Sequence, residues 1–270
     1  MKNKIMISSL GVLIAVALIG IWVSGVNAIK QSENSPTLTL KVSSEKQIYI
    51  PGEVAKLNFE LVNDGNEPVK LPFRPDISTG YLSVWIAFSG QRFNRYNNTS
   101  WGKMEYNGPT LQPGQSFKSQ ADILYNSKPD ISRLNVDTIK DSPEGAILSD
   151  YAFPEAGVYL VKAVLSFSDI KLKVESEPIQ IVVNKPIGED LKVWNQIKDN
   201  GDIAYFMQKG ATRTYQDAKA EKLLKEIEQI TQQSPNSFLA GQMKQKLEKF
   251  RTDEETRKEM LEKAKVKPKN

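Results

Sequence analysis

The side chains able to do chemistry in this 270-residue chain are carboxylates, hydroxyls, lysines and arginines, because it contains no histidine and no cysteine. Without imidazole there is no Ser-His-Asp or Cys-His proton relay. Zinc fingers, zinc hydrolases and haem attachment lose their ligands for the same reason. Carboxylate chemistry and the rarer Ser-Lys arrangement remain. Asp130, Asp137, Asp141, Glu144 and Asp150 crowd one polar stretch. Paired carboxylates can serve glycoside hydrolysis or bind calcium, but no calcium-loop spacing is present, and acids in a polar loop are ordinarily just solvated. Ser116-Phe117-Lys118 follows a turn and reads as strand, not as a Ser-Lys centre. No cofactor is expected, and no catalytic residue is assigned.

Binding chemistry has a better candidate. Residues 84–106 hold Trp85, Phe88, Phe93, Tyr96, Trp101 and Tyr106, six of the chain's 23 aromatics. Arg92-Phe93-Asn94-Arg95-Tyr96 interleaves cation and aromatic, a composition that stacks on sugars or pairs with acidic peptides. The expectation is that Arg92, Arg95, Tyr96 and Trp101 form an exposed binding surface. The competing reading is a sheet core with cross-strand pairs around a Ser89-Gly90-Gln91 hairpin turn. Trp85 and Phe88 are three apart and so lie on opposite faces of a strand. Asn97-Asn98-Thr99 is formally a glycosylation sequon, a pattern common by chance.

These residues sit in a region of period two, from about Leu38 to Val183. Ala55, Leu57, Phe59 and Leu61 alternate with Lys56, Asn58 and Glu60, as in a strand with one wet face. Asn63-Asp64-Gly65-Asn66 is a dense turn signal. Pro51-Gly52 and Pro113-Gly114 mark tight turns. Tyr159, Val161, Ala163, Leu165 and Phe167 make one face of a long strand, and Ile179, Ile181 and Val183 one face of a last one. Gly157-Val158-Tyr159 has the spacing of a tyrosine corner. Short strands at this spacing predict an all-β, Ig-like antiparallel sandwich over 36–184.

After the linker at 184–188 the period becomes 3.6. Leu191, Trp194 and Ile197 share one helical face, ending at Asn200-Gly201, and 204–207 makes a short helix. Residues 214–233 carry the stripe Ala218, Leu223, Leu224, Ile227 and Ile230. Ser234-Pro235-Asn236-Ser237 stops that helix and caps the next, whose stripe is Phe238, Leu239, Met243, Leu247 and Phe250. The expectation is a small helical domain over 188–251 built on a hairpin, then a charged flexible tail over 252–270.

Residues 1–28 combine Lys2 and Lys4, an apolar run from Ile5 to Val23, and small residues at Val26 and Ala28. That is the pattern of a secretory signal peptide cleaved after Ala28. The run is also near the lower limit for a membrane span, so an uncleaved N-terminal anchor is the alternative. Both place the rest of the chain outside the cytoplasm, periplasmic or secreted. A lipoprotein is excluded, because no cysteine follows. Residues 29–183 carry 16 Lys/Arg against 18 Asp/Glu, and residues 184–270 carry 18 against 14. No dense basic stripe is present, so nucleic acid is not an expected partner. Membrane contact is expected only through the N-terminal segment.

Tyr49-x-Pro51-Gly52-Glu53, Leu57-x-Phe59-x-Leu61-x-Asn63, Leu71-Pro72-Phe73, Leu111-Gln112-Pro113-Gly114-Gln115 and Pro154-Glu155-Ala156-Gly157-Val158-Tyr159 together resemble an Ig-like domain of the BsuPI-type proteinase inhibitor family, over roughly residues 40–183. Residues 126–150 look like an insertion in it. The motif residues are turn and core positions, and no inhibitory residue falls on any of them. Ser234-Pro235-Asn236-Ser237-Phe238-Leu239-Ala240 resembles the helix start of tetratricopeptide-like repeats in envelope proteins. The expected function is an exported, non-enzymatic binding or scaffold protein of the cell envelope, contacting a protein or glycan through the sandwich. A proteinase inhibitor is the alternative the resemblance implies. A carboxylate-dependent hydrolase is the alternative the acidic stretch leaves open.

Overall fold

The alternation at 55–61 becomes β3 (Ala55–Asn63), which buries Ala55, Leu57, Phe59 and Leu61 and turns Lys56 and Asn58 to solvent. The computed structural model describes residues 37–96, 107–126, 151–213 and 217–266. The segment 1–28, Trp101 and the acidic residues between 130 and 150 lie outside the described residues. No helix among the described residues is long and apolar enough to cross a membrane.

β3 pairs antiparallel with β1 (Leu38–Ser44) on one side and β8 (Ser116–Ile123) on the other. The order β1-β3-β8 makes β8 an edge. A six-stranded sheet follows the order β2 (Ile48–Tyr49), β11 (Ile179–Val183), β9 (Gly157–Phe167), β5 (Leu82–Phe88), β6 (Asn94–Tyr96), with β10 (Leu172–Glu175) also on β9. β4 (Val69–Lys70) and β7 (Thr110–Leu111) form a two-residue ladder. The expectation of a wholly antiparallel arrangement needs one correction, because β2 pairs β11 in parallel. β10 and β11 follow one another along the same side of β9, and the join is made at buried Ser176. Its N–H donates to Ala163 O (2.9 Å), and its hydroxyl accepts from Ala163 N–H (2.9 Å). A side chain thus replaces the missing ladder partner.

One hydrophobic core, shared by the two sheets, takes Leu40, Phe59 and Leu61 from the first and Ile86, Val161, Leu165 and Ile181 from the second. Tyr159 closes its edge. Its hydroxyl donates to Glu155 O (2.9 Å) and accepts from Glu155 N–H (3.2 Å), the geometry its spacing predicted, and burial holds its pKa above the ordinary value.

Both Pro-Gly turns have the same internal wiring. Glu53 N donates to Ile50 O (3.1 Å), and Ile50 N donates back to the Glu53 carboxylate (3.1 Å). Gln115 N donates to Gln112 O (2.9 Å), and Gln112 N donates back to the Gln115 side chain (2.9 Å). Gly52 and Gly114 take φ of +84° and +76°, the left-handed region that the third residue of a type II turn requires.

Four helices close the chain: α1 (Gly188–Ile197), α2 (Gly201–Lys209), α3 (Asp217–Gln233) and α4 (Phe238–Val266). Asn200, expected to end a helix, instead starts one: its side chain accepts from Asp202 N and Ile203 N. On α1 the buried face is Val193, Trp194 and Ile197, with Leu191 exposed. On α3 and α4 the interior takes Leu223, Ile227, Ile230, Leu239, Met243 and Leu247, while Phe238 and Ala218 face solvent. α4 continues to Val266, where a flexible tail was expected from 252. Charge pairs at helical spacing support this stretch, including Lys249–Asp253 (3.1 Å), Arg257–Glu254 (3.3 Å) and Lys263–Glu259 (3.8 Å).

Candidate binding surface

The arginine–aromatic segment folds as the outer strand of the larger sheet. Gln91 N donates to Phe88 O (2.9 Å), and Ser89 and Gly90 both take positive φ, closing a tight hairpin into β6. The register Val84↔Tyr96 and Trp85↔Arg95 then decides which side chain goes where. Tyr96 shares the inner face with Val84, and Arg95 shares the outer face with Trp85.

Tyr96 is therefore not an exposed anchor. It is 2% accessible and sits where the β-strands meet the helices. Its hydroxyl donates to Tyr125 O (3.0 Å) and accepts from Gln208 Nε2 (2.7 Å) and Leu124 N (3.4 Å). One donor and two lone pairs are all satisfied, and burial raises the phenol's pKa strongly. Arg92 and Arg95 do reach solvent. Beside them Lys162 Nζ lies 4.9 Å from the Phe93 ring and 2.7 Å from Glu175. Trp85 is buried on this face, its Nε1 donating to Ser83 Oγ (3.1 Å). Of the four expected anchors, then, two are exposed, one is structural, and Trp101 lies outside the described residues.

A second surface gathers residues to which the sequence assigned no binding role. Two adjoining open hollows, about 870 and about 420 Å³, share Arg74, Ser119 and Gln120 along β8. The larger lies over the polar outer face of the three-stranded sheet, and the smaller reaches Lys209 on α2 and Lys246 on α4. Lys246 pairs with Asp122 (3.2 Å), Lys118 with Glu60 (3.3 Å) and Arg74 with Asp76 (3.1 Å). Five cations line the two hollows against three carboxylates. Burial lowers the pKa of Lys209; Lys246 adds to that and Asp122 opposes it. Among the described residues no group of three or more carboxylates gathers at metal-binding distance. The site offers ion pairing and hydrogen bonding over an open surface. In the sequence Ser116-Phe117-Lys118 of β8 reads as plain strand; the signal is topological, because among the described residues no strand pairs with the far side of β8.

The junction beneath it is tightly built. Gln208 spans from α2 to β8, accepting from Tyr125 N (2.9 Å) and donating to Asp122 O (3.0 Å). The acids of the first turn of α1 hold the start of α4: Asp190 accepts from Ser237 Oγ (2.6 Å) and Leu239 N (3.1 Å), and Glu189 from Asn236 N (2.9 Å). Carboxylates at a helix N-terminus are favourable. Glu53, buried and paired with Lys46, keeps a raised pKa because burial outweighs the ion pair and the Ile50 N–H bond.

No family model matches the chain, and no curated protein does. The inhibitor-like and tetratricopeptide-like motifs therefore stand on their own residues. Among solved structures, a CARDB domain from Pyrococcus furiosus, in complex with di-metal ions, is similar at 12% identity over 56% of this chain and 90% of that one, with a TM-score of 0.29. Spo0M, a sporulation control protein from Bacillus subtilis, is similar at 13% identity over 60% and 55%, with a TM-score of 0.29. A β-glucosidase from Erythrobacter marinus is similar at 14% identity over 55% and 16%, with a TM-score of 0.27.

Proposed function

We propose that this is an exported, non-enzymatic binding or scaffold protein of the cell envelope, whose strands form an Ig-like sandwich that holds a protein or glycan partner. The observation that carries this reading is the broad polar hollow on an open strand edge, rich in groups that hold and poor in groups that transform. The titratable side chains with raised pKa values, Tyr96, Glu53 and Tyr159, are each fixed in contacts that maintain the fold. Export is supported by the signal-like residues 1–28.

Affinity capture from an envelope fraction on the immobilised chain tests the reading. The expected result is a saturable partner, eluted by salt and competed by free protein, since ion pairs at an open surface are screened. Retention no different from that of an unrelated β-protein of equal charge would remove it.

A further inference from the structure

β8 carries a more specific feature, whose interpretation rests on the binding function just proposed. At the start of the strand Gly114 N donates to Asn63 O (2.8 Å) while Asn63 N donates to Gln115 O (3.0 Å). This is a glycine bulge that sets the register. Carrying the pairing on through Leu61↔Phe117 and Phe59↔Ser119 points the backbone of residues 117 and 119 at β3. The N–H and C=O groups of Ser116, Lys118 and Gln120 then face away from it. Asp122 confirms this independently, because its carbonyl is taken by Gln208 from the far side.

The Gln208 amide occupies that outer edge as a strand's peptide group would, with one donor and one acceptor set against β8 and the residues after it. Beyond it the segment 74–76 meets the strand through side chains, Ser119 Oγ donating to Pro75 O (3.5 Å) and the Arg74 guanidinium lying 5.4 Å from the Phe117 ring, and the main-chain edge is left open among the described residues. Among the described residues no strand pairs with it, and no hydrogen bond reaches the N–H of Lys118 or Gln120. The larger hollow lies alongside.

We infer that the outer edge of β8, over Ser116–Gln120, accepts an extended acidic polypeptide segment as an added strand. Strand addition supplies affinity through main-chain bonds and selectivity through alternate side chains. Three outward residues call for a guest of about five to seven residues. Its charge is set by the walls, where Lys41, Arg74, Lys118, Lys209 and Lys246 outnumber Glu60, Asp76 and Asp122, the Glu60 carboxylate being the one a guest would share Lys118 with. Glutamates at alternate positions would lie beside Lys118, which is 74% exposed. The competing explanation is that Lys118 only blunts an exposed edge against self-association.

The test uses the full chain, isotope-labelled, with two blocked heptapeptides of alternating valine and charge, one carrying glutamate and one lysine. The glutamate peptide is expected to slow amide exchange at Lys118 and Gln120 by about tenfold or more at saturation, with the lysine peptide inert. Lys118→Pro, which removes one outward donor, is expected to abolish this protection. Lys118→Glu, which keeps the backbone, is expected to weaken binding by about tenfold and decides the matter if the proline variant does not fold. Unprotected Lys118 and Gln120 amides, or equal protection by both peptides, would overturn the inference. A partner captured from the envelope fraction equally well by wild type and Lys118→Glu would overturn it too, while leaving the binding function intact. Capture of nothing would remove that function and leave the peptide result to stand alone.

Discussion

Tyr96 shows why residue type alone misplaces a side chain. Its neighbours Arg92 and Arg95 suggest a stacking surface, but its position opposite Val84 sends it inward, and a buried phenol must bond its hydroxyl. It found Tyr125 O, Leu124 N and Gln208. Tyr96→Phe strands all three groups, so a loss of about 2 kcal/mol is expected in urea unfolding. A loss under about 0.5 kcal/mol would mean that water or rearrangement replaces the hydroxyl. Glu53 supplies a pH signature. Its folded-state pKa lies above the ordinary 4.5, raised chiefly by burial. The folded protein therefore holds this proton more tightly than the unfolded chain does. Glu53's contribution to stability is greatest at low pH and declines as pH rises from about 4.5 through the folded value. Glu53→Gln should flatten that part of the stability–pH curve; an unchanged slope in pH-dependent urea unfolding would contradict the assignment.

At the scale of elements, the period-two region was legible because each strand with a wet face alternates, as β3 does. The Pro-Gly turns were legible because type II geometry demands them. Their second layer was not: nothing in the sequence says that Glu53 and Gln115 bond back to the residue before proline. Nor does it say that Gly52 is where α1 lands. A Cβ on Gly52 would meet the Trp194 ring at 2.8 Å, whereas one on Gly80, at φ +79°, meets nothing within 4 Å. Gly80→Ala should cost about 1–2 kcal/mol, the left-handed backbone penalty alone. Gly52→Ala should cost clearly more in the same chemical unfolding experiment, and equal losses would show that Trp194 yields freely. The helices were less legible at their ends. The last half of α4 buries little and is held by charge pairs at i,i+3 and i,i+4, and a polar stretch of that kind reads as readily as a tail. The open edge of β8 lay beyond sequence reasoning altogether, because only the strand order reveals it.

At the scale of the molecule, strands and helices form one compact unit from Pro36 onward. A second hydrophobic cluster joins Val54, Leu124 and Tyr151 of the β-region to Trp194, Ile203, Phe206 and Leu239 of the helices, and Tyr151 donates to Ile197 O (2.9 Å). Such a shared core predicts one cooperative thermal transition for both parts. It also predicts that ending the chain at Asn184, which exposes this cluster, lowers the β-region's midpoint. Two separated transitions in calorimetry would show the parts to be independent. A rigid junction also fixes α2 and α4 beside β8, so the hollow is shaped before any partner arrives. The central claim is that this edge holds something. The most direct measurement replaces Gln120 with a photo-crosslinking side chain, and separately Asp169 on the exposed turn after β9, and irradiates each in an envelope fraction. A discrete adduct from position 120 and none from position 169 is the predicted result. Adducts from neither position, or equally from both, would contradict it.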